Sequence, residues 1–322
     1  MNYDYKFDLD DNCPTEVPFC PINPSDLDLN LVPRYLFRVF SRDSSGWNSS
    51  KWMRSEAALH TKVNDIFTRD DTSGIAIALN EHIRWQFNTP IRHRVFISWT
   101  ASLAFAIQLA IHKHKRERLS LHEIYICVLD TAMFPSGTFV RDLTLMKEFK
   151  SKVPDTQNIR FNGSQTTWSR RGLEAMYRSH IKGRCYDFAE YLAQGQLRVK
   201  GRSTVLSCDK VINANLFALA PHCERSLGRR DNGLANEVHS GRASFAADSP
   251  RSITLNEYTS AVRIAQEFPT RWRIMMIASL LALHCRPTSD SVHIPVEPTL
   301  SKGEMIRSRK MELTCHLTVH SR

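Results

Sequence analysis

Apolar positions along this chain change their period several times, and each change marks a different element. After Pro33, the segment Arg34 to Phe40 is rich in aromatic and β-branched residues. Polar Ser41 to Ser45 and Gly46 bound it, which predicts a strand. Residues 41–55 read as a loop carrying Trp47 and Trp52. Ile75, Leu79, Ile83 and Phe87 recur every four positions, the spacing of one helix face, and Pro90 ends that helix. A short strand over Arg94 to Ser98 then runs into a helix with Leu103, Ala106, Ile107 and Ala110 on one side, and Thr100 is placed to cap it. Ile124 to Leu129 is continuously apolar and predicts a buried strand.

Further on, Leu143 to Phe149 and Gly172 to Ile181 predict helices. Tyr186 to Leu192, Gln196 to Val199 and Ser203 to Leu206 predict short strands or turns, punctuated by Gly195 and Gly201. Cys208 to Phe217 favours helix. Strands and helices mix without regular β-α alternation, so the expected class is α+β. The expected organisation is an acidic, disordered leader over 1–32, a core domain over 33–220, a polar loop or linker over 221–253, a helical pair over 254–286 and a poorly ordered tail over 287–322. In the helical pair, Tyr258, Val262, Ala265 and Phe268 share a stripe. Trp272 to Leu283 is apolar nearly all round and is expected in the core.

Charge changes this picture in one respect. The net charge is +10, yet residues 1–30 hold seven acids against Lys6 alone, so the body of the chain is more basic than the total suggests. Such a body attracts anions, including nucleic acid, acidic lipid or a pyrophosphate. The basic stretch His112 to Arg116 reads as a solvated helix end, its cations favourable to the helix dipole. No apolar run approaches the roughly 20 residues of a membrane span, and the first residues lack a secretory apolar stretch. An intracellular protein, cytoplasmic or nuclear, is therefore expected. Eight cysteines without a C-x-x-C pair read as reduced thiols, Cys127 as a small buried hydrophobe. No metal-ligand spacing, P-loop or Gly-x-Gly-x-x-Gly motif is present.

Three segments carry candidate chemistry. They are Tyr35-Leu36-Phe37-Arg38-Val39-Phe40, Ser98-Trp99-Thr100-Ala101-Ser102 and Glu190-Tyr191-Leu192-Ala193-Gln194-Gly195. Their order resembles the Arg–Ser–Glu class of mono-ADP-ribosyltransferases, which split the nicotinamide–ribose bond of NAD. In toxin-type members a Ser-Thr-Ser strand runs into a helix, and the catalytic glutamate begins a Glu-x-x-Ala-x-Gly pattern, as Glu190, Ala193 and Gly195 do here. The resemblance implies a split β-sheet core with flanking helices and NAD as substrate. It implies Arg38 on the pyrophosphate, Ser98 and Thr100 positioning nicotinamide and ribose, and Glu190 with Ser98 as the catalytic pair. Arginine-modifying members carry a second Glu or Gln two residues before the catalytic one. Here that position is Phe188, which leaves NAD hydrolysis or another acceptor, protein or nucleic acid, open. Trp99 inside the serine motif is a second departure.

Over roughly residues 33–285 the chain also resembles an uncharacterised family of fungal proteins. It shares the Leu-Phe-Arg-Val opening, Ser-Trp-Thr-x-Ser, a strand like Ile124 to Asp130, and Glu-Tyr-Leu-x-Gln-Gly. That resemblance implies no activity. A second functional reading is a non-catalytic interaction module whose basic surface binds nucleic acid or an acidic protein partner. A third is a relative that keeps the fold without turnover.

Overall fold

In β1 (Tyr35–Ser41), Leu36 and Phe40 face one way, Phe37 and Val39 the other, and all four are buried. A strand apolar on both faces needs cover on both. The computed structural model describes residues 16–21, 31–86, 88–152, 172–183, 187–228, 233–247 and 249–284. Around β1 it forms an antiparallel sheet in the order β6 (Val140–Arg141), β7 (Glu190–Gln194), β4 (Phe96–Thr100), β1, β5 (Ile124–Asp130) and β9 (Ser203–Ser207). β1 pairs with β5 along its whole length, from Tyr35↔Asp130 to Ser41↔Ile124. Its other seam differs. β1 and β4 meet only at Phe37↔Thr100, so the sheet is split into two wings, β6-β7-β4 and β1-β5-β9.

A smaller antiparallel sheet of β2 (Trp47–Asn48), β3 (Trp52–Arg54) and β8 (Gln196–Arg198) covers one face. Met53 and Leu197 join Leu36, Phe40, Ile97 and Trp99 in the core between the sheets. Residues 41–55 were expected as a loop; strands of two and three residues are too short to show a period. The chain passes from the large sheet to the small one at Gly195, whose φ is +71°. A Cβ there would lie 3.1 Å from Val17 Cγ2 and 3.4 Å from Val63 Cβ, so both dihedral and space favour glycine.

Helices cover the other face in two groups. α1 (Thr72–Ile83), α3 (Asp142–Phe149) and α4 (Leu173–Gly183) pack with Phe96, Val140 and Leu192 over one wing. α2 (Leu103–Glu117), α5 (Cys208–Asn213), α6 (Leu216–Leu219), α7 (Pro221–Gly228), α9 (Leu255–Gln266) and α10 (Thr270–Leu281) pack with Phe37, Val39, Ile126 and Val128 over the other. α8 (Leu234–Ala247) rests on α2 through Phe105, Leu234 and Val238. Each group follows its own wing, and a cleft is left between them above the seam. No helix among the described residues is long and apolar enough to cross a membrane.

The structure corrects several expectations. Residues 221–253 carry α7 and α8 instead of a loop. Few apolar residues are needed to seat α8, because the Lys115–Glu237 ion pair (2.6 Å) also ties it to α2, and the segment therefore reads as polar. Ser102, not Thr100, caps α2: its Oγ accepts the Phe105 N–H at 3.1 Å. Thr100 is still extended and paired with Glu190, two residues too early to cap. The tail over 287–322 lies outside the described residues.

The leader is corrected in part. Residues 16–21 pack on the body, with Phe19 only 1% exposed and its N–H donating to the Gly137 carbonyl at 2.8 Å. The Gln194 amide donates to the Pro18 carbonyl, and Glu16 pairs with Arg202 at 2.7 Å. Phe19→Ala is therefore expected to destabilise the protein by about 3 kcal/mol, as truncating a buried aromatic does. Urea denaturation measures this. A change within about 0.5 kcal/mol, typical of surface positions, would show that the segment is unattached in solution.

Candidate active site

The cleft, about 780 Å³, has the split seam as its floor and α1, α2, α4 and α8 as its walls. Arg38, Ser98, Thr100 and Glu190 all line it. Strand alternation explains three of them. Ser98 and Thr100 share the parity of Phe96, which faces the helices, and Glu190 lies opposite Thr100 and two residues from helix-facing Leu192. Trp99 has the opposite parity and is buried between the sheets, edge-on to Phe139.

Arg38 reaches the cleft differently. By alternation it belongs with Leu36 and Phe40, on the face toward the small sheet. Because β1 and β4 are unpaired beyond Phe37↔Thr100, its guanidinium lies in the gap between them. Nη1 donates to the Ser98 carbonyl at 2.7 Å and Nε to Asn48 Oδ1, on β2, at 2.9 Å. Among the described residues no carboxylate lies within ion-pair distance of it. Burial lowers its pKa to about 10, partly offset by the nearby Cys127 thiol and Glu190. It stays cationic at neutral pH, a half-buried charge with no carboxylate at ion-pair distance among the described residues.

Ser98 joins two ionisable groups. Its Oγ lies 2.6 Å from His82 Nε2, on α1, and the same hydroxyl is near enough to the Glu190 carboxyl to favour its ionised form. Burial pushes Glu190 up to about 7, with the Ser98 hydrogen bond and the Arg38 charge pulling the other way. Burial, with the Arg38 charge, lowers His82 to about 3, so its imidazole is neutral. A hydroxyl carries one proton. When Glu190 is ionised, Ser98 donates to the carboxylate and His82 Nε2–H donates to Ser98 Oγ. This order does not suit a Ser–His hydrolase, where the carboxylate sits behind the histidine and the serine gives its proton to the imidazole.

Thr100 is committed to the backbone. Its hydroxyl donates to the Phe188 carbonyl at 2.7 Å and accepts the Ser102 N–H at 3.0 Å. It shapes the turn and is not free to hold a ligand as expected. Just before Glu190, Ala189 has a φ of +51°, a left-handed conformation costing a non-glycine residue about 1–2 kcal/mol. Its carbonyl accepts the Ala101 N–H, which ties the start of β7 to the end of β4. Phe188 stacks on Phe105 with ring centroids 4.5 Å apart and forms an apolar wall of the cleft.

The basic stretch is less solvated than expected. His112 is buried, Lys113 pairs with Glu117 at 2.6 Å, and Lys115 is only 9% exposed in its pair with Glu237. Arg116 remains exposed at the cleft. Sequence reasoning missed His82 and Asn48. His82 sits one position from the apolar stripe of α1, and nothing local marks Asn48. Both matter only through partners distant in the chain.

The family model described as a domain of unknown function (DUF7587) matches residues 31–171, less than half of the chain. The chain is similar to that family over β1 to α3, a stretch that includes Arg38, His82 and Ser98 and stops short of Glu190. No curated protein and no solved structure matches.

Proposed function

We propose that this protein binds NAD in the cleft and cleaves its nicotinamide–ribose bond, as an ADP-ribosyltransferase-like protein built on a split antiparallel sheet. The observation that carries the reading is the meeting of Arg38, Ser98 and Glu190 at the seam. There a half-buried cation, with no carboxylate at ion-pair distance among the described residues, lies near a carboxyl that ionises around neutrality. A phosphate oxygen of the pyrophosphate supplies the anion that Arg38 lacks, and a guanidinium forks onto phosphate.

In the reaction, the bond between ribose C1′ and the nicotinamide nitrogen breaks, and its electron pair leaves with the ring, which becomes neutral. Positive charge then develops on the sugar, as in glycoside hydrolysis. Ionised Glu190 stabilises that charge, and the Ser98 hydroxyl beside it favours its charged form. Water or the hydroxyl, amine or thiol of an acceptor adds at C1′ and loses a proton to solvent. The acceptor, protein or nucleic acid, is left open.

The test is nicotinamide release from NAD by the purified full chain, followed chromatographically, with binding measured by calorimetry. Only the ionised carboxylate stabilises the sugar cation. Release should therefore rise about tenfold per pH unit below neutrality and level off above about pH 7. A flat profile between pH 5 and 8, or no binding of NAD, counts against the reading. Free arginine should not raise the rate, because Phe188 offers no second carboxylate to hold a guanidinium.

The alternative, a nucleic-acid or acidic-partner module, is weakened by the internal pairing of Lys113 and Lys115. It would be favoured by nucleic-acid binding that falls steeply with salt in a protein inert toward NAD.

A further inference from the structure

Just past α1, several hydrogen bonds tie the backbone back to the last turns of that helix. The Trp85 N–H donates to the His82 carbonyl at 3.0 Å and the Gln86 N–H to the Glu81 carbonyl at 2.8 Å. The buried Glu81 carboxylate accepts the Asn88 N–H at 3.0 Å and the Thr89 N–H at 2.6 Å. Held this way, Trp85 has a φ of +55°, a left-handed conformation that a bulky side chain rarely adopts. Such a conformation persists where the surrounding bonds impose it, and it is found most often at ligand sites. Trp85 lines the cleft and is 43% exposed, and its indole makes no ring or cation contact among the described residues. A wide, flat apolar face thus stands at the cleft without a cover.

Position along β4 indicates what covers it. Glu190 lies opposite Thr100, at the far end of the strand, and Arg38 bonds the Ser98 carbonyl in the middle. His82 packs on Phe96 at the near end, with ring centroids 5.6 Å apart. Trp85 follows His82 by three residues. The Thr89 carbonyl accepts from Arg94 Nε at 2.9 Å, which fastens the same segment two residues before β4 begins. At about 3.3 Å per residue, Phe96 to Thr100 spans about 13 Å. The order along the cleft floor is therefore carboxyl, guanidinium, indole. In NAD the covalent order is nicotinamide ribose, pyrophosphate, adenosine. With the ribose at Glu190 and the phosphates at Arg38, adenine is the part that reaches the Trp85 end.

We propose that Trp85 is the platform on which the adenine of NAD stacks, and that its fixed backbone presents the indole to the base. A purine offers the flat aromatic face that an indole holds best, without needing a specific hydrogen bond. The assignment of adenine to this end rests on the NAD-binding reading. An adenine nucleotide site at Trp85 does not require that the bond be cleaved.

The experiment is calorimetry on the full chain with three probes: NAD, ADP and nicotinamide mononucleotide. Trp85→Ala should weaken ADP and NAD by about 5–100-fold, the effect of removing one base–aromatic stack. Nicotinamide mononucleotide lacks the adenine and should bind within about twofold of its original affinity. Trp85→Phe keeps a ring and should restore most of the loss for ADP. A merely structural tryptophan would weaken all three probes together, and that result overturns the proposal. So does unchanged ADP affinity in Trp85→Ala, or a loss confined to nicotinamide mononucleotide, which would put the other ring on the indole. If Trp85→Ala does not fold, tryptophan emission decides. ADP should quench it in the unmodified protein, and an undiminished quench in Trp85→Phe overturns the platform. Nicotinamide release separates the two readings. Release from NAD with an unchanged KM in Trp85→Ala removes the platform and leaves cleavage standing. Trp85-dependent ADP binding in a protein that leaves NAD intact does the reverse, and a protein that binds neither ADP nor NAD refutes both.

Discussion

Replacing Glu190 with glutamine is expected to slow nicotinamide release by about 10²–10³-fold while changing NAD affinity little. The substitution keeps size and most hydrogen bonding and removes only the charge that matters as the sugar becomes cationic. The same change should stabilise the fold. In the folded protein the carboxyl ionises at about 7 instead of 4.5, so the folded state holds a proton that the unfolded chain has already released. The stability contributed by that proton is fully present below about pH 4.5 and is lost as pH rises through about 7. At pH 8 the natural protein buries the charged form, and glutamine has no charge to bury. At about 1.4 kcal/mol per pH unit the gain for Glu190→Gln is about 3 kcal/mol at pH 8, shrinking toward zero near pH 4.5. Urea denaturation of both proteins at the two pH values measures it. Equal stability differences at both would show that Glu190 does not titrate near neutrality. Full activity in the variant would mean that the assigned carboxylate is wrong.

Arg38→Ala is expected to act on binding first. Its contact would be with a phosphate present before and during reaction, so NAD affinity should fall about 10–100-fold, the range for a charge-assisted hydrogen bond or two. Stability should fall as well, by about 1–3 kcal/mol. The Ser98 carbonyl and Asn48 lose their donor, and the gap in the seam loses its filling. Removing a half-buried cation that has no carboxylate at ion-pair distance among the described residues offsets part of that cost. Arg38→Lys keeps the charge but cannot fork, and should lie between the two in affinity. Calorimetry with NAD, alongside denaturation, separates these effects. Unchanged affinity in a folded Arg38→Ala would remove the arginine from the phosphate site.

Long periodic elements were legible in the sequence. The four-residue spacing of Ile75, Leu79 and Ile83, the unbroken Ile124 to Leu129, and the apolar Trp272 to Leu283 became α1, β5 and, as far as Leu281, α10. In each case apolar burial over many residues outweighs any one contact. Short strands were not legible, because β2, β3 and β6 hold two or three residues and exist through pairing with β8 and β7. Nor was the helical character of α8, a segment held to α2 by an ion pair and two apolar side chains.

For the candidate site the division is similar. The motif spacing singled out Arg38, Ser98 and Glu190, because each is a polar group in a short apolar strand, where it is costly without a purpose or a partner. It also marked Ala193 and Gly195, which lie in the core between the sheets and at the turn from one sheet to the other. Alternation alone would have sent Arg38 to the wrong face. Only the split between β1 and β4, a property of how distant strands pair, lets its guanidinium reach the Ser98 carbonyl. His82 and Asn48 likewise acquire their contacts from neighbours on other elements. Sequence order therefore determined which strands carry the charged groups, through local burial patterns. Tertiary pairing decided which of those groups meet and at what pH they ionise, because desolvation and Coulomb interaction depend on distance through space.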